Sequence, residues 1–220
     1  MTLRVAVLAS GRGSNLQALI DARARGVLDV EFAGVFSDRA TAHALDRARE
    51  AGIPAMALSP KSHATRVAFD AALFAAVDAV QPQLIVCAGY MRILDDSVVA
   101  ARPGRMINIH PSLLPRHRGL RTHEAVLAAG EREHGASVHF VTPELDGGPV
   151  LAQVRMDVRD GDTPATLAQR LLPLEHALLV ASVALFAQGR VALAGNNVAL
   201  DGRALAAPLA LTAGGALDGH

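Results

Sequence analysis

Apolar runs of strand length alternate with helix-patterned stretches through the first half of this chain. No other feature constrains the fold as much. Leu3–Ala9 is apolar apart from Arg4, as expected of a parallel strand covered on both faces. Gly11 to Ser14 turns the chain, and from Asn15 to Arg23 the residues Leu16, Leu19, Ile20 and the alanines recur at helical spacing. The pattern then repeats. A strand over Val30–Ser37 precedes a helix over Ala40–Ala51 that Gly52 ends. A strand over Ile53–Leu58 follows, which Pro54 assigns to an edge. A helix over Thr65–Val80 stops at Pro82, and a strand covers Gln83–Ala88. A short helix over Asp95–Ala101 and a strand over Arg105–His110 complete the series. Such alternation predicts right-handed crossovers and an α/β fold around a mostly parallel sheet.

The second half reads differently. A helix over Arg121–Ala129 is followed by strands over Ala136–Val141 and Val150–Val158, with only a Gly/Pro/Asp loop between them. That loop is too short for a helical crossover, so this pairing is expected to be antiparallel. Thr163 with Pro164 is a helix start, a cap followed by proline at the first helical position. That helix is expected to run to about Gln188 with a disturbance at Pro173. Val191–Leu200 reads as a terminal hairpin, and the Ala/Gly-rich residues 207–220 as a frayed tail. The predicted organisation is one domain over 1–206 plus that tail.

Bulk properties narrow the function. The 220 residues are 51% apolar, ample for a core. Lysine plus arginine and aspartate plus glutamate number 21 each, so no basic excess points to nucleic acid and no cationic stretch to a membrane surface. No apolar run reaches the ~18 residues of a spanning segment. Residues 1–9 lack the form of a signal peptide. A cytoplasmic protein of small-molecule chemistry is expected. The single cysteine, Cys87, lies in an apolar strand and reads as buried filler; alone it makes neither an intramolecular disulfide nor a cysteine zinc cluster.

Three segments carry chemistry. In Met106–His117 an apolar strand ends in a proline-pinned loop, and Asn108 and His110 share one strand face two residues apart. A buried strand has no structural use for either side chain. An amide and a protonated imidazole there can both donate to one oxyanion, although a lone histidine of this kind is more often a satisfied core residue. In Ser10–Asn15 the glycines and a following helix offer backbone N–H groups to an anion. Leu16 replaces the third glycine of a dinucleotide loop and no Gly-Lys-Ser/Thr follows, so a single phosphate fits better; Ser14 reads equally as a plain helix cap. In Thr142–Pro149 an acid, Asp146, lies in a Gly/Pro loop. Such an aspartate often only caps its own turn. Beside His110 it would instead raise the imidazole pKa. The histidines at 110, 117, 123, 134 and 139 form no recognised ligand spacing, so no metal is expected.

With these segments in view, the chain resembles the folate-dependent phosphoribosylglycinamide formyltransferases. The likeness runs from Val5 to about Arg203. It rests on Gly11–Gln17, Ala88–Leu94, Asn108–Pro115, Gly135–Val141 and Glu144–Pro149, in that order. It implies a Rossmann-like, seven-stranded, mostly parallel sheet flanked by helices on both faces. The implied reaction moves the formyl group of 10-formyltetrahydrofolate, a co-substrate, to the primary amine of glycinamide ribonucleotide in purine biosynthesis, with no metal. It further implies a catalytic trio of Asn108, His110 and Asp146. Gly11, Arg12, Gly13, Ser14, Asn15 and Glu175 would hold the ribonucleotide. Arg66, Met91, Arg92, Ile93, Leu94, Asn108, Thr142, Pro143, Glu144, Leu145 and Asp146 would face the folate. A monomer or weak homodimer is expected. Arg121 and the basic Arg116-His117-Arg118 depart from the family pattern.

Formyltetrahydrofolate hydrolases and methionyl-tRNA formyltransferases share the trio. Each carries a further domain, at the N-terminus and C-terminus respectively, for which this length is not expected to leave room. A non-catalytic mononucleotide-binding module would leave Asn108, His110 and Asp146 without purpose.

Overall fold

The computed structural model describes residues 2–219. The chain divides after Asn108 into two compact units. In the first, the elements are β1 (Leu3–Leu8), α1 (Ser14–Ala24), β2 (Val30–Ser37), α2 (His43–Glu50), β3 (Ala55–Ala57), α3 (Arg66–Ala79), β4 (Leu84–Cys87) and α4 (Asp96–Ala100). The strand β5 (Met106–His110) carries the chain over the division. The strands lie in the order β5-β4-β1-β2-β3, every neighbouring pair parallel. Val5, Val7, Val35, Ile85 and Val86 are fully buried, which is why Val5–Ala9 and Leu84–Ala88 read as unbroken apolar runs. The helix α1 buries Leu16 and Leu19, and α3 buries Phe69, Leu73, Phe74 and Val77. Thr65 caps α3, its Oγ1 accepting from the Ala68 N–H at 3.1 Å. Two details differ from the sequence reading. The helix α2 begins at His43, not Ala40, because residues 39–42 form a turn closed by the Ala42 N–H on the Arg39 carbonyl. The edge strand β3 is only Ala55–Ala57.

The second unit contains α5 (Thr122–Ala128), β6 (Glu133–Phe140), β7 (Val150–Asp157) and α6 (Pro164–Ala187), then β8 (Val191–Ala194), β9 (Asn197–Leu200), β10 (Arg203–Ala204), β11 (Leu209–Leu211) and β12 (Leu217–Asp218). The strands β6 and β7 pair antiparallel, as their short connection requires. A capping box starts α6: Thr163 Oγ1 accepts from the Thr166 N–H, and Thr166 Oγ1 accepts from the Thr163 N–H. The helix continues through Pro173, which is exposed, and is not broken there. By length and composition alone α6 could cross a membrane. Arg170 and Glu175 interrupt its apolar run, and Leu167, Leu171, Leu178, Leu179 and Val183 bury one face of it. This helix contacts β6 and β7 and reads as a core element.

The C-terminal segment corrects the expectation of a frayed tail. Leu209 is buried and pairs with Ala152 as β11 adds in parallel to β7, and β12 pairs antiparallel to β11. These two short strands are additional to the seven, β1 to β7, that the family resemblance implied. The hairpin β8–β9 is present, extended by β10. The chain is α/β, and its strand pairs are mostly parallel.

Candidate active site

In the first unit the glycine turn links β1 to α1. Gly13, not Ser14, is the N-cap residue, with φ 71° and no side-chain cap bond. Ser14 is the first helical residue, so the plain-cap reading of its hydroxyl is wrong. A Cβ at Gly13 would lie 2.7 Å from Ala44 Cα, and the left-handed φ strains any other residue there. Arg12 is exposed, while Asn15 is buried. The Met91 N–H donates to Ser10 Oγ at 2.9 Å, tying this turn to the segment after β4.

That segment meets the start of α3. Arg92 lies over the Phe69 ring, 5.1 Å from its centroid, and Arg66 is 3.8 Å from the Asp95 carboxylate. Asp70, fully buried, accepts from the Asp95 N–H at 2.8 Å, and burial raises its pKa. Met91 and Ile93 are exposed although apolar, and Leu94 is buried. Asn108 is half-buried on β5, two residues before His110.

In the second unit an imidazole stands on either side of one carboxylate. His110 Nδ1 is 3.6 Å from Asp146 Oδ2, and His139 Nε2 is 3.6 Å from Asp146 Oδ1. The two rings are nearly perpendicular, with centroids 6.5 Å apart. Each ring is anchored at its other nitrogen. His110 Nε2 meets the His117 carbonyl at 3.0 Å, and His139 Nδ1 meets the Phe140 carbonyl at 2.9 Å. A carbonyl only accepts, so these outer nitrogens carry the protons. His110 Nδ1, which faces Asp146, is therefore the nitrogen that gains a proton when that ring becomes charged. The Gly119 N–H donates to Asp146 Oδ2 at 2.9 Å, and Asp146 holds φ 47°.

Electrostatics here correct one expectation. Burial pushes the His110 pKa below its ordinary value; the His117 carbonyl and the Asp146 charge pull upward without restoring it. The neighbouring acid was expected to raise this pKa, but desolvation of a buried ring outweighs it. For Asp146 the balance runs the other way. Burial alone would raise it; the His139 imidazole, the bond from the Gly119 N–H and the His110 imidazole take it below the usual carboxylate range. A carboxylate thus faces two imidazole nitrogens with room for a proton between them.

The loops that carry these groups are braced from β6 and β7. Ser137 Oγ donates to the Ser112 carbonyl at 2.7 Å and accepts from the Leu114 N–H at 3.1 Å. Gln153 Nε2 donates to the Leu114 carbonyl and to Ser137 Oγ. Ser112 donates to the Arg116 carbonyl, a turn role. In the 142–149 loop a Cβ at Gly148 would lie 1.9 Å from the Phe140 carbonyl oxygen, so only glycine fits. Glu144 pairs with Arg118, Leu145 is exposed, and Thr142 Oγ1 reaches the Glu144 carbonyl. Pro143 lies in the same loop, and Glu175 is half-buried on α6. Sequence reasoning missed His139, Ser137 and Gln153. Their signal was the one that marked His110: polar side chains within a buried strand.

A second histidine pair joins α5 to β6. His123 Nδ1 and His134 Nε2 are 2.8 Å apart. Burial, then the charges of His123 and His117, lower His134 to about 4, opposed by Glu131. Above about pH 6.5 folded and unfolded chains are both neutral here. As pH falls from 6.5 toward 4 only the unfolded chain takes up the proton, so stability is lost across that window, by about 3 kcal/mol at most. His134→Gln is expected to flatten the fall in Tm between pH 6.5 and 4; an unchanged slope assigns the loss to other groups.

Comparison with known proteins gives a consistent result. Residues 3–183 match the formyl transferase family. The chain is 44% identical over 203 residues to the phosphoribosylglycinamide formyltransferase of Escherichia coli (strain K12), covering 92% of this chain and 96% of that protein. It is 41% identical over 194 residues to the trifunctional purine biosynthetic protein adenosine-3 of Homo sapiens, spanning 19% of that longer protein. The solved structure of a phosphoribosylglycinamide formyltransferase from Coxiella burnetii, in complex with CHES, superposes with a TM-score of 0.90 at 47% identity, covering 94% of this chain and 97% of the other.

Proposed function

Because the chain belongs to the formyl transferase family, we propose that it moves a formyl group from 10-formyltetrahydrofolate to the primary amine of glycinamide ribonucleotide. The observation that carries the chemistry is the Asp146 carboxylate between two imidazoles. In this reading the neutral amine attacks the formyl carbon and a C–N bond forms. The carbonyl electron pair moves to oxygen. Asn108 and the His110 Nε2–H donate to that oxygen, each such donor supplying about 10²–10³ in rate. The Nε2–H exchanges the His117 carbonyl for the substrate oxygen. The intermediate then collapses, the bond to the folate nitrogen breaks, and that nitrogen takes up a proton. The proton lost by the amine matches the one gained by the folate, and Asp146 with His110 carries it between them. Holding both reactants together removes most of the entropy of encounter.

In the same reading the turn at Gly11 to Asn15 holds the substrate phosphate and Glu175 the ribose hydroxyls. Arg66, Met91–Leu94 and Thr142–Asp146 face the folate. The location is taken as the cytoplasm, and the assembly as a monomer or weak homodimer. Arg12→Glu is expected to raise KM for the ribonucleotide about 10- to 100-fold through loss of a charge-assisted contact, with KM for the folate nearly unchanged. An effect confined to the folate would remove Arg12 from the phosphate site.

The reading is tested with purified protein and 10-formyltetrahydrofolate. Formyl loss that requires glycinamide ribonucleotide supports it. Formyl loss in buffer alone marks a hydrolase, and loss that requires methionyl-tRNA marks the tRNA enzyme.

A further inference from the structure

The glycine turn is held from behind by α2, and the contacts determine which way its peptide groups face. Three successive carbonyls are engaged. The Gly11 oxygen accepts from the Ala44 N–H at 3.1 Å, the Arg12 oxygen from Arg47 Nε–H at 2.8 Å, and the Gly13 oxygen from the Gln17 N–H at 2.9 Å. In a planar trans peptide the N–H points opposite to its C=O. The N–H groups of Arg12 and Gly13 are therefore turned away from α2, and that of Ser14 points out of the α1 N-terminus. Successive N–H groups so arranged form a concave anion seat.

The middle peptide is the one that depends on a side chain. Gly13 has no Cβ to resist rotation, and a flip of the Arg12–Gly13 peptide would present a carbonyl where the seat needs an N–H. Arg47 opposes that flip. Its guanidinium is fixed at a second point, donating to Gln17 Oε1 at 2.9 Å, and Gln17 Nε2 in turn donates to Asp21 Oδ1 at 2.8 Å. The planar fork of an arginine makes two such bonds in fixed relative directions, which a lysine does not. Arg47 is half-buried behind the turn, and α2 presses so close that Gly13 admits no Cβ.

We propose that Arg47 is the positioning residue of the phosphate seat, orienting the Arg12–Gly13 peptide so that its N–H meets a phosphate monoester. The proposal rests on reading the glycine turn as the seat for the ribonucleotide phosphate. Arg47→Met keeps most of the side-chain length and removes both donors. Arg47→Lys keeps the charge and cannot reproduce the two-point hold. Both variants are assayed with each substrate varied in turn, with inorganic phosphate as a competitive inhibitor, and with the dephosphorylated acceptor, glycinamide riboside.

For Arg47→Met, KM for the ribonucleotide and the inhibition constant for phosphate should each rise about tenfold or more, the loss of one charge-assisted hydrogen bond. Folate KM, kcat and the rate with the riboside should stay within about threefold of the parent, the split expected of lost ground-state binding. Arg47→Lys should recover less than half of the ribonucleotide effect on a logarithmic scale, and it carries the same test should the Met variant not fold. Unchanged ribonucleotide KM overturns the proposal, as does an equal loss with both acceptors, which a structural defect would give. Full recovery by lysine reduces the role to charge and overturns it as well. If the parent enzyme uses the riboside as well as the ribonucleotide, the phosphate reading itself fails. If the parent discriminates and Arg47→Met does so equally, only the role of Arg47 fails.

Discussion

Asp146→Asn is expected to lower kcat by about 10²–10⁴, the range for loss of a positioned proton-transfer group, while KM for the ribonucleotide stays near that of the parent. The substitution suits the test for a structural reason. Asp146 holds φ 47°, and asparagine tolerates the left-handed region better than any other residue except glycine. Its amide oxygen can still accept from the Gly119 N–H, the bond that seats Asp146 Oδ2 at 2.9 Å. What the variant loses is the negative charge between the two imidazoles. Charge from Asp146 is one of the influences that raise the His110 pKa against the dominant effect of burial. Removing it leaves burial opposed only by the His117 carbonyl, so the His110 pKa should fall further. A proton NMR titration of the imidazole should show that downward movement alongside the loss of kcat. If kcat holds while the titration moves, Asp146 tunes the ring but takes no part in chemistry. If neither changes, the carboxylate has no role in this site.

How much of this could be read without coordinates depended on whether a residue's neighbours are close in sequence. The parallel strands were legible because both faces of β4, and of β1 from Val5 onward, are buried, and the apolar run records that directly. The starts of α3 and α6 were legible because their caps, Thr65 and Thr163, act on residues three positions away. The tail was not. Leu209 and Leu211 lie among alanines and glycines with weak strand signals, and β11 exists because β7 offers it a partner far back in the chain. The start of α2 was misplaced for a related reason: alanine-rich residues 40–42 have helical propensity, but a turn uses them.

The site divides along the same line. His110 attracted notice as a polar residue in a buried strand and Asp146 as an acid in a Gly/Pro loop after a strand, and the structure makes them neighbours. The contact of His139 with Asp146 depends on how the 142–149 loop folds back beside β6, which no local pattern specifies. The sign of the His110 shift depends on burial weighed against one charge. Neither magnitude is visible in a string of residues, and charge alone suggested the wrong direction.

His110→Ala should reduce kcat at least as far as Asp146→Asn, by about 10³–10⁵ if the ring both donates to the oxyanion and moves a proton. It removes the Nε2–H now bonded to the His117 carbonyl and the Nδ1 that faces Asp146. The informative measurement is the double variant. Two groups that act independently lose activity multiplicatively, whereas groups that act as one unit do not. With His110 gone, Asp146 has no ring to charge on that side, so Asp146→Asn in the His110→Ala background should cost less than about tenfold more. His139 supplies the alternative. Its Nε2 lies as far from Asp146 as His110 Nδ1 does, 3.6 Å in each instance. If Asp146 works mainly through His139, the two losses will multiply, and His139→Ala rather than His110→Ala will mask the effect of Asp146→Asn. The geometry favours His110, which shares β5 with Asn108 and so has its partner donor two residues away on the same strand face. His139 spends its protonated nitrogen on the carbonyl of the adjacent residue, Phe140.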